Sequence, residues 1–142
     1  MDIKIKITSK RPRKIHNVKA YEGFIHIGDF SESIYVPLDY WSRADYERQW
    51  KEGLERIKIH DTSCLVATIH DPKIRKFVDW WELYKINNVI YVQNGWLIEH
   101  LYDEIVGDNQ FTPDTCYNFI TPRVAASEGH TVSEWSVPFK PE

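Results

Sequence analysis

Apolar and polar residues follow a helical period in the stretch YWSRADYERQWKEGLERIKI, residues 40–59. At about 100° per residue, one narrow stripe collects the apolar side chains Tyr46, Trp50, Leu54 and Ile57, with Gly53 beside them. The opposite side of the projected helix carries the charged residues Glu47, Arg48, Lys51, Glu55 and Lys58. The pattern predicts an amphipathic helix over about residues 42–58, with one face in the core and the other in solvent.

The start of this helix is marked by a capping pattern. The hydroxyl of Ser42 can accept a hydrogen bond from the amide of Asp45, and the Asp45 carboxylate can accept one from the amide of Ser42. Trp41 and Tyr46 stand just before the cap and four residues into the helix, where a hydrophobic staple forms. We therefore expect the helix to begin at Ser42.

Shorter apolar patterns predict strands. They cover residues 3–7, 21–27, 34–36, 63–69, 77–86, 89–93, 116–120 and 131–137. The basic stretch 10–14 contains Pro12, which lacks an amide hydrogen, and is predicted to be a loop. The whole pattern predicts an α+β fold in which an antiparallel sheet of about six to seven strands carries the main helix.

Asn87-Asn88 separates two of these strands and predicts a two-residue type I′ hairpin turn. The turn would pair Ile86 with Val89, Tyr84 with Tyr91, Glu82 with Gln93 and Leu83 with Val92. The Leu83 face should be core. The other, here called the mixed face, combines rings with polar groups: Trp80, Glu82, Tyr84, Tyr91 and Gln93.

A short second helix is predicted over about residues 95–106, because Ile98, Leu101, Tyr102 and Ile105 recur at helical spacing. Three acids near its carboxyl end, here called the acidic trio, are Asp103, Glu104 and Asp108. The helix dipole favours cations at that end. Either the segment is not helical or these acids bind something outside the chain.

Composition narrows the class of protein. The chain has 142 residues, which fits a single domain over residues 1–142, and it is rich in rings, with six Trp, eight Tyr and six Phe. Its net charge of −3 argues against a dedicated nucleic-acid binder. The amino-terminal residues alternate Ile with Lys where a signal peptide would be continuously apolar, and no membrane-spanning segment is expected, so the sequence predicts a cytoplasmic protein.

Candidate chemistry is sparse. The dipeptides His60-Asp61 and His70-Asp71 flank one predicted strand, roughly 20 Å apart at about 3.3 Å per residue, and cannot share an ion. Cys64 lies in an apolar strand, where burial blunts a thiol. Cys116 could be approached by His100 or His130. The sequence allows either two free thiols or one Cys64–Cys116 disulfide. We therefore expect a protein that has no enzymatic activity and binds neither a metal ion nor a cofactor.

Two surfaces could bind a macromolecule. The mixed face has the Trp and Tyr side chains that interfaces favour; alternatively, the carboxyl-terminal segment covers it as a second core layer. The acidic trio, with Glu99 and Asp114, could attract a basic partner or be an ordinary solvated surface.

Five stretches resemble the immunity proteins of contact-dependent growth inhibition. They are PLDYWSRADYERQWKEGLERI (37–57), DTSCLVATIHDP (61–72), FVDWWELYK (77–85), FTPDTCYNFI (111–120) and SEWSV (133–137). The resemblance covers the chain from Pro37 onward and contains no catalytic signature. It implies a cytoplasmic protein that binds and neutralises a cognate CdiA C-terminal toxin domain, often a nuclease, without chemistry of its own.

On this reading the toxin-binding residues are the mixed face and the acidic trio, and neither a membrane nor a nucleic acid is expected as a direct partner. Two alternatives stay open. One is a small RNA-binding module that uses the basic stretch 10–14 and surface aromatic residues. The other is a small hydrolase that uses Cys116 with a histidine.

Overall fold

The computed structural model describes residues 1–124 and 133–140. The first sheet contains β1 (Ile3–Ile7), β2 (Arg13–Ile15), β3 (Val18–Ile27) and β4 (Phe30–Pro37). The second sheet contains β5 (Thr62–Ile69), β6 (Phe77–Ile86), β7 (Val89–Ile98) and β8 (Glu134–Pro138). Helix α1 (Arg43–Ile59) joins the sheets in sequence, while α2 (Glu99–Ile105) and a 3-10 helix (Cys116–Phe119) follow β7. The α+β class is confirmed, with the antiparallel strands divided between two sheets.

Strand β3 lies at the centre of the first sheet. One edge of β3 pairs with β1 and β2 in succession, and the other pairs with β4. The alternation predicted for β1 is confirmed, because Ile3, Ile5 and Ile7 are buried while Lys4 and Lys6 between them are exposed.

The second sheet has the order β5-β6-β7-β8. Asn87 and Asn88 have φ angles of 50° and 65°, as the type I′ turn requires. The predicted register is confirmed, with Ile86 opposite Val89 and Tyr84 opposite Tyr91. Strands β6 and β7 stay paired as far as Phe77 and Ile98.

The second sheet is buried on both faces. On the Leu83 face, Phe30 of the first sheet stacks on Trp135 at a centroid distance of 4.3 Å and approaches Trp81 at 6.4 Å. On the mixed face, Phe111 packs edge-on against Trp80 at 5.5 Å. A single cluster of buried apolar residues extends through both sheets and α1.

Helix α1 has the predicted capping box, with Ser42 as N-cap and reciprocal hydrogen bonds to Asp45. The Trp41 and Tyr46 rings meet at 5.3 Å, as the staple predicts. Tyr46, Trp50 and Ile57 are buried, Leu54 is partly buried, and the charged side is exposed, so the amphipathic prediction is confirmed.

Buried polar atoms of α1 seal the outer edge of β5. Gln49 Nε2 donates to Cys64 O at 2.7 Å, and Gln49 Oε1 accepts from Val66 N at 2.8 Å. Trp50 Nε1 donates to Val66 O at 2.7 Å, and Tyr46 Oη donates to Ile69 O at 3.3 Å. An edge strand exposes unpaired backbone groups, and here the helix side chains pair them.

Three sequence predictions need correction. Asn94 and Gly95 do not open the second helix: they pair with Trp81 and Trp80, and the helix starts at Glu99. Residues 116–119 form a 3-10 helix rather than a strand, because hydrogen bonds between Thr112 and Thr115 tighten the chain into a turn just before it.

The basic stretch 10–14 is also not a loop throughout. Arg13 and Lys14 belong to β2, which turns back on β3 through His16 and Asn17 at φ angles of 49° and 66°. The Nε atom of Arg13 donates to Glu22 Oε1 at 2.6 Å. Strand β8 begins at Glu134, and residues 131–132 of its predicted span lie outside the described residues. Within the described residues, neither α-helix is both long and apolar enough to cross a membrane.

Candidate functional site

The mixed face is present, but the carboxyl-terminal segment 111–124 covers it. Trp80 is 1% exposed, Tyr84 4%, Gln93 6% and Glu82 7%. Tyr84 Oη donates to Thr121 O at 2.7 Å and to Glu82 Oε2 at 3.1 Å. The structure therefore places these side chains in a second buried layer, the alternative that the sequence left open.

Tyr91 is half-buried under a cation. The Arg123 guanidinium lies 4.1 Å from the centre of the Tyr91 ring and binds both carboxylate oxygens of Glu134, at 2.8 and 2.9 Å. Gln93 Nε2 donates to Glu134 Oε2 at 2.7 Å and to Val124 O at 2.8 Å. Residues 123–124 are thus tied to β7 and β8 by a charged network.

Glu82 is the acid of the mixed face, and its two carboxylate oxygens differ in the hydrogen bonds that they accept. Oε2 accepts from Thr121 N at 2.8 Å, Thr121 Oγ1 at 2.9 Å and the Tyr84 hydroxyl. Oε1 has no hydrogen-bond donor within residues 1–124 and 133–140. Burial raises the pKa of Glu82, and the three donors on Oε2 act against that rise.

The acidic trio is exposed on and after α2. Asp103 forms an ion pair with Lys76 at 2.5 Å, and Glu104 lies 3.3 Å from His100. Asp108 has no ion-pair partner in the described part of the chain. Glu104 and Asp108 thus form no ion pair with a lysine or arginine of the described chain.

An exposed apolar cluster lies where β7 meets α2. Its members and their exposed fractions are Trp96 58%, Ile98 49%, Leu101 45% and Val124 52%. The predicted apolar stripe of the second helix is only partly correct, since Tyr102 is buried while Ile98 and Leu101 face outward. Three of the four sit within six residues, but the strand-to-helix change at Ile98 hid their common location from periodicity.

This cluster borders a groove of about 520 Å³, here called the β7 groove. Among the residues that line it are Glu82, Gly95, Trp96, Ile98, Leu101 and Val124. The groove joins the buried carboxylate of the mixed face to the exposed apolar cluster. It therefore offers apolar walls and an acid, which suit recognition of another molecule.

His70 has a role that the sequence did not reveal. It is 5% exposed, its Nδ1 lies 3.1 Å from both carboxylate oxygens of Asp39, and its Nε2 lies 3.4 Å from Tyr35 Oη. The sequence placed His70 only at the end of a predicted strand, whereas in the structure its ring ties the end of β5 to the chain beyond β4. Among the described residues no group of three or more His, Cys, Asp or Glu side chains is arranged to hold a metal ion.

The two cysteines are unbridged neighbours in the core. Their Sγ atoms are 3.7 Å apart, and both residues are fully buried. Burial raises the pKa of the Cys64 thiol. His100 is highly exposed and faces Glu104, which does not support the predicted approach to Cys116, and His130 lies outside the described residues.

The chain matches known proteins in sequence and in fold. The family model described as the CdiI N-terminal domain matches residues 36–141. The Immunity protein CdiI of Enterobacter cloacae subsp. cloacae is 31% identical over 113 residues, which is 78% of this chain and 74% of that protein. A chain of the CdiA-CT/CdiI toxin and immunity complex from Enterobacter cloacae superposes with a TM-score of 0.78 at 26% identity, covering 96% of this chain and 90% of that one.

The family match begins one residue before the point at which the sequence resemblance began, at Pro37, and β1 to β3 lie outside it. The structural match nevertheless extends over nearly the whole chain, so the first sheet belongs to the shared architecture. On these sequence and structural matches, this chain belongs to the family of CdiI immunity proteins.

Proposed function

We propose that this chain binds the C-terminal toxin domain of a CdiA protein and neutralises it by stoichiometric protein–protein inhibition, in the cytoplasm of the cell that makes both. The observation that carries the proposal is the structural match, over 96% of the chain, to a toxin and immunity complex. A neutraliser needs a rigid scaffold and a complementary surface.

The proposed inhibitor needs no chemistry of its own. Cys64 and Cys116, the thiols considered as nucleophiles, are fully buried. Three donors engage one oxygen of Glu82, and His70 is held between Asp39 and Tyr35. These groups serve the scaffold, which supports inhibition by binding.

We propose that the toxin docks on the surface around α2. This surface combines the exposed Trp96, Ile98 and Leu101 with the acidic trio, and so provides an aromatic anchor beside negative charge. The predicted contacts Trp80, Tyr84 and Gln93 are buried, and the Tyr91 ring is covered by Arg123. In this proposal they hold segment 111–124 in place, and the exposed residues make the direct contacts.

The charge of this surface supports a nuclease as the toxin. A nuclease must bind a polyanion and therefore presents basic side chains. Glu104 and Asp108 would attract such a surface, steering association. Purified toxin domain should degrade RNA or DNA, and an equimolar amount of this chain should stop it. A toxin domain that degrades neither would contradict the nuclease assignment.

Titration distinguishes stoichiometric inhibition from catalysis. The matched toxin domain should be half inhibited at half an equivalent of the chain when the concentrations of both proteins are well above the Kd of the complex. An enzyme that modified the toxin would instead inactivate it at far lower ratios, and with time. Calorimetry should find one binding site per toxin domain.

Cells give the complementary test. Cells that express the chain should survive neighbours that deliver the matched toxin, and cells with an unrelated CdiI should not. Death of both strains at the same rate would refute the proposed function.

A further inference from the structure

Among the described residues, one oxygen of the Glu82 carboxylate accepts no hydrogen bond, and Glu82 lines the β7 groove. Glu82 is 7% exposed, and all three of its hydrogen bonds converge on Oε2. Its Oε1 atom has none within the described ranges. Because Glu82 lines the β7 groove, Oε1 is an acceptor that a donor entering the groove could reach.

Gly95 opens the way to this oxygen. A Cβ atom built on Gly95 would lie 3.2 Å from Glu82 Oε1 and 3.5 Å from Trp80 Nε1. Any larger residue would therefore cover the carboxylate at the position that now gives access to it. Gly95 and Glu82 both line the groove, so a side chain that enters the groove beside Gly95 comes close to Oε1.

The walls of the groove are apolar and partly exposed. Trp96, Ile98, Leu101 and Val124 line the groove together with Glu82, and their apolar atoms would contact the aliphatic part of an inserted side chain. The combination of an acid and apolar lining residues fits a long side chain with a positive end.

We propose that the β7 groove receives one basic side chain, an arginine or a lysine, of the toxin domain, and that Glu82 Oε1 is its acceptor. The inference rests on the proposed function and adds to it the chemical identity of an anchor and its seat. The ionised carboxylate only accepts hydrogen bonds, so the guest must be a donor, and a cation also restores the buried charge balance.

Arg123, a cation beside the mixed face, does not occupy this position. Arg123 binds both oxygens of Glu134 and covers Tyr91, and no hydrogen bond joins it to Glu82. The exposed acidic trio on and after α2 carries the same sign of charge as Glu82, which would favour the approach of a basic partner.

The first test replaces Glu82 with Gln. In Glu82→Gln the amide oxygen can still accept from Thr121 and Tyr84, while the amide nitrogen presents a donor to the groove. Calorimetry with the purified toxin domain should show a Kd weakened about 10- to 100-fold, the range for a lost charge-assisted hydrogen bond. Glu55→Gln, on the exposed side of α1, is the matched control and should bind like the wild type.

A second variant leaves Glu82 in place. Gly95→Ala puts a methyl group over Oε1 and should weaken binding by a similar factor. Circular dichroism and urea unfolding establish that each variant is folded. If both variants are folded and bind within threefold of the wild type, the basic-anchor inference is overturned while the proposed function stands.

A double-mutant cycle identifies the guest. Among arginine and lysine variants of the toxin domain, one should weaken binding to the wild-type chain and have little further effect on Glu82→Gln. Additive effects at every arginine and lysine would refute the inference. If the wild-type chain does not bind the toxin domain at all, both the proposed function and this inference fail.

Discussion

The side-chain amide of Gln49 donates a 2.7 Å hydrogen bond to the carbonyl oxygen of Cys64, at the outer edge of the second sheet. The same side chain accepts from Val66 N, so one buried residue of α1 pairs two backbone groups that a neighbouring strand would otherwise pair. The main helix therefore closes this sheet on one side as well as packing against it.

Gln49→Leu should lower the free energy of unfolding by about 2–4 kcal/mol, because it leaves two buried backbone groups without partners. Urea unfolding followed by circular dichroism measures the change. Glu47→Leu, on the exposed side of the same helix, is the control. A Gln49→Leu protein as stable as the wild type would show that the amide does not seal the edge.

Gly53→Ala provides a test in which two effects have opposite signs. Helix propensity alone would stabilise the variant by about 1 kcal/mol. The added Cβ, however, would overlap Cys64 O, a backbone atom that cannot move aside easily. We expect a net loss of about 1–3 kcal/mol in the free energy of unfolding. A gain in stability would mean that α1 and β5 can separate at little cost.

Stability should fall as pH rises through the pKa of Asp79. Burial raises this pKa from 3.8 to about 6, so the folded protein holds the proton more tightly than the unfolded chain. The contribution of protonated Asp79 to the free energy of unfolding is fully present below about pH 4 and is lost as pH rises through about 6. Asp79→Asn, which can still accept from Asn94, should therefore be more stable than the wild type at about pH 7.5, by about 1–3 kcal/mol.

The pH dependence is checked by the difference in free energy of unfolding between Asp79→Asn and the wild type. The advantage of Asp79→Asn should shrink by about 1–2 kcal/mol between about pH 7.5 and about pH 5. Asp29→Asn, at an exposed turn, should show no such trend. Parallel pH profiles for Asp79→Asn and the wild type would contradict the assignment.

Reversing the acidic trio tests the proposed docking surface. The triple substitution of Asp103, Glu104 and Asp108 by Lys should weaken toxin binding by about tenfold or more, mainly through slower association at low salt. Stopped-flow fluorescence measures the rate. The control is a triple lysine variant at Glu47, Glu52 and Glu55 on α1. If both triple variants bind the toxin domain with equal affinity, the toxin does not dock on the surface around α2.

The thiols should be unreactive in the folded protein. Cys64 and Cys116 are fully buried, and burial raises the pKa of the Cys64 thiol, which lowers the thiolate fraction. Iodoacetamide at neutral pH should label neither cysteine in the native state and both in urea, as measured by intact mass. Rapid labelling of native Cys116 would revive the hydrolase alternative.

The elements governed by local patterns were predictable. Helix α1, its cap at Ser42 and the Trp41–Tyr46 staple follow from spacing along the chain, because a helix brings residues three and four apart together. The β6–β7 register follows from Asn87-Asn88, because a two-residue turn leaves only one pairing. Both depend on neighbours in sequence, and both are confirmed.

The candidate site was only partly predictable, because its character depends on what lies over each residue. The alternation of β6 and β7 correctly placed Trp80, Glu82 and Tyr84 on one face. It could not show that Phe111 and Thr121 cover that face, since these contacts join positions about 30 to 40 residues apart. The exposed anchor Trp96 lay in a segment assigned to a helix.

Sequence alone thus determined which face of each element is apolar and, through its family resemblance, the kind of protein this is. Tertiary structure decided which apolar and acidic groups stay accessible. Burial is a property of the whole assembly: Glu82 has one oxygen held by Thr121 and the other facing the β7 groove because three separate stretches of chain meet there. The periodicity of a single stretch cannot predict contacts among three separate stretches.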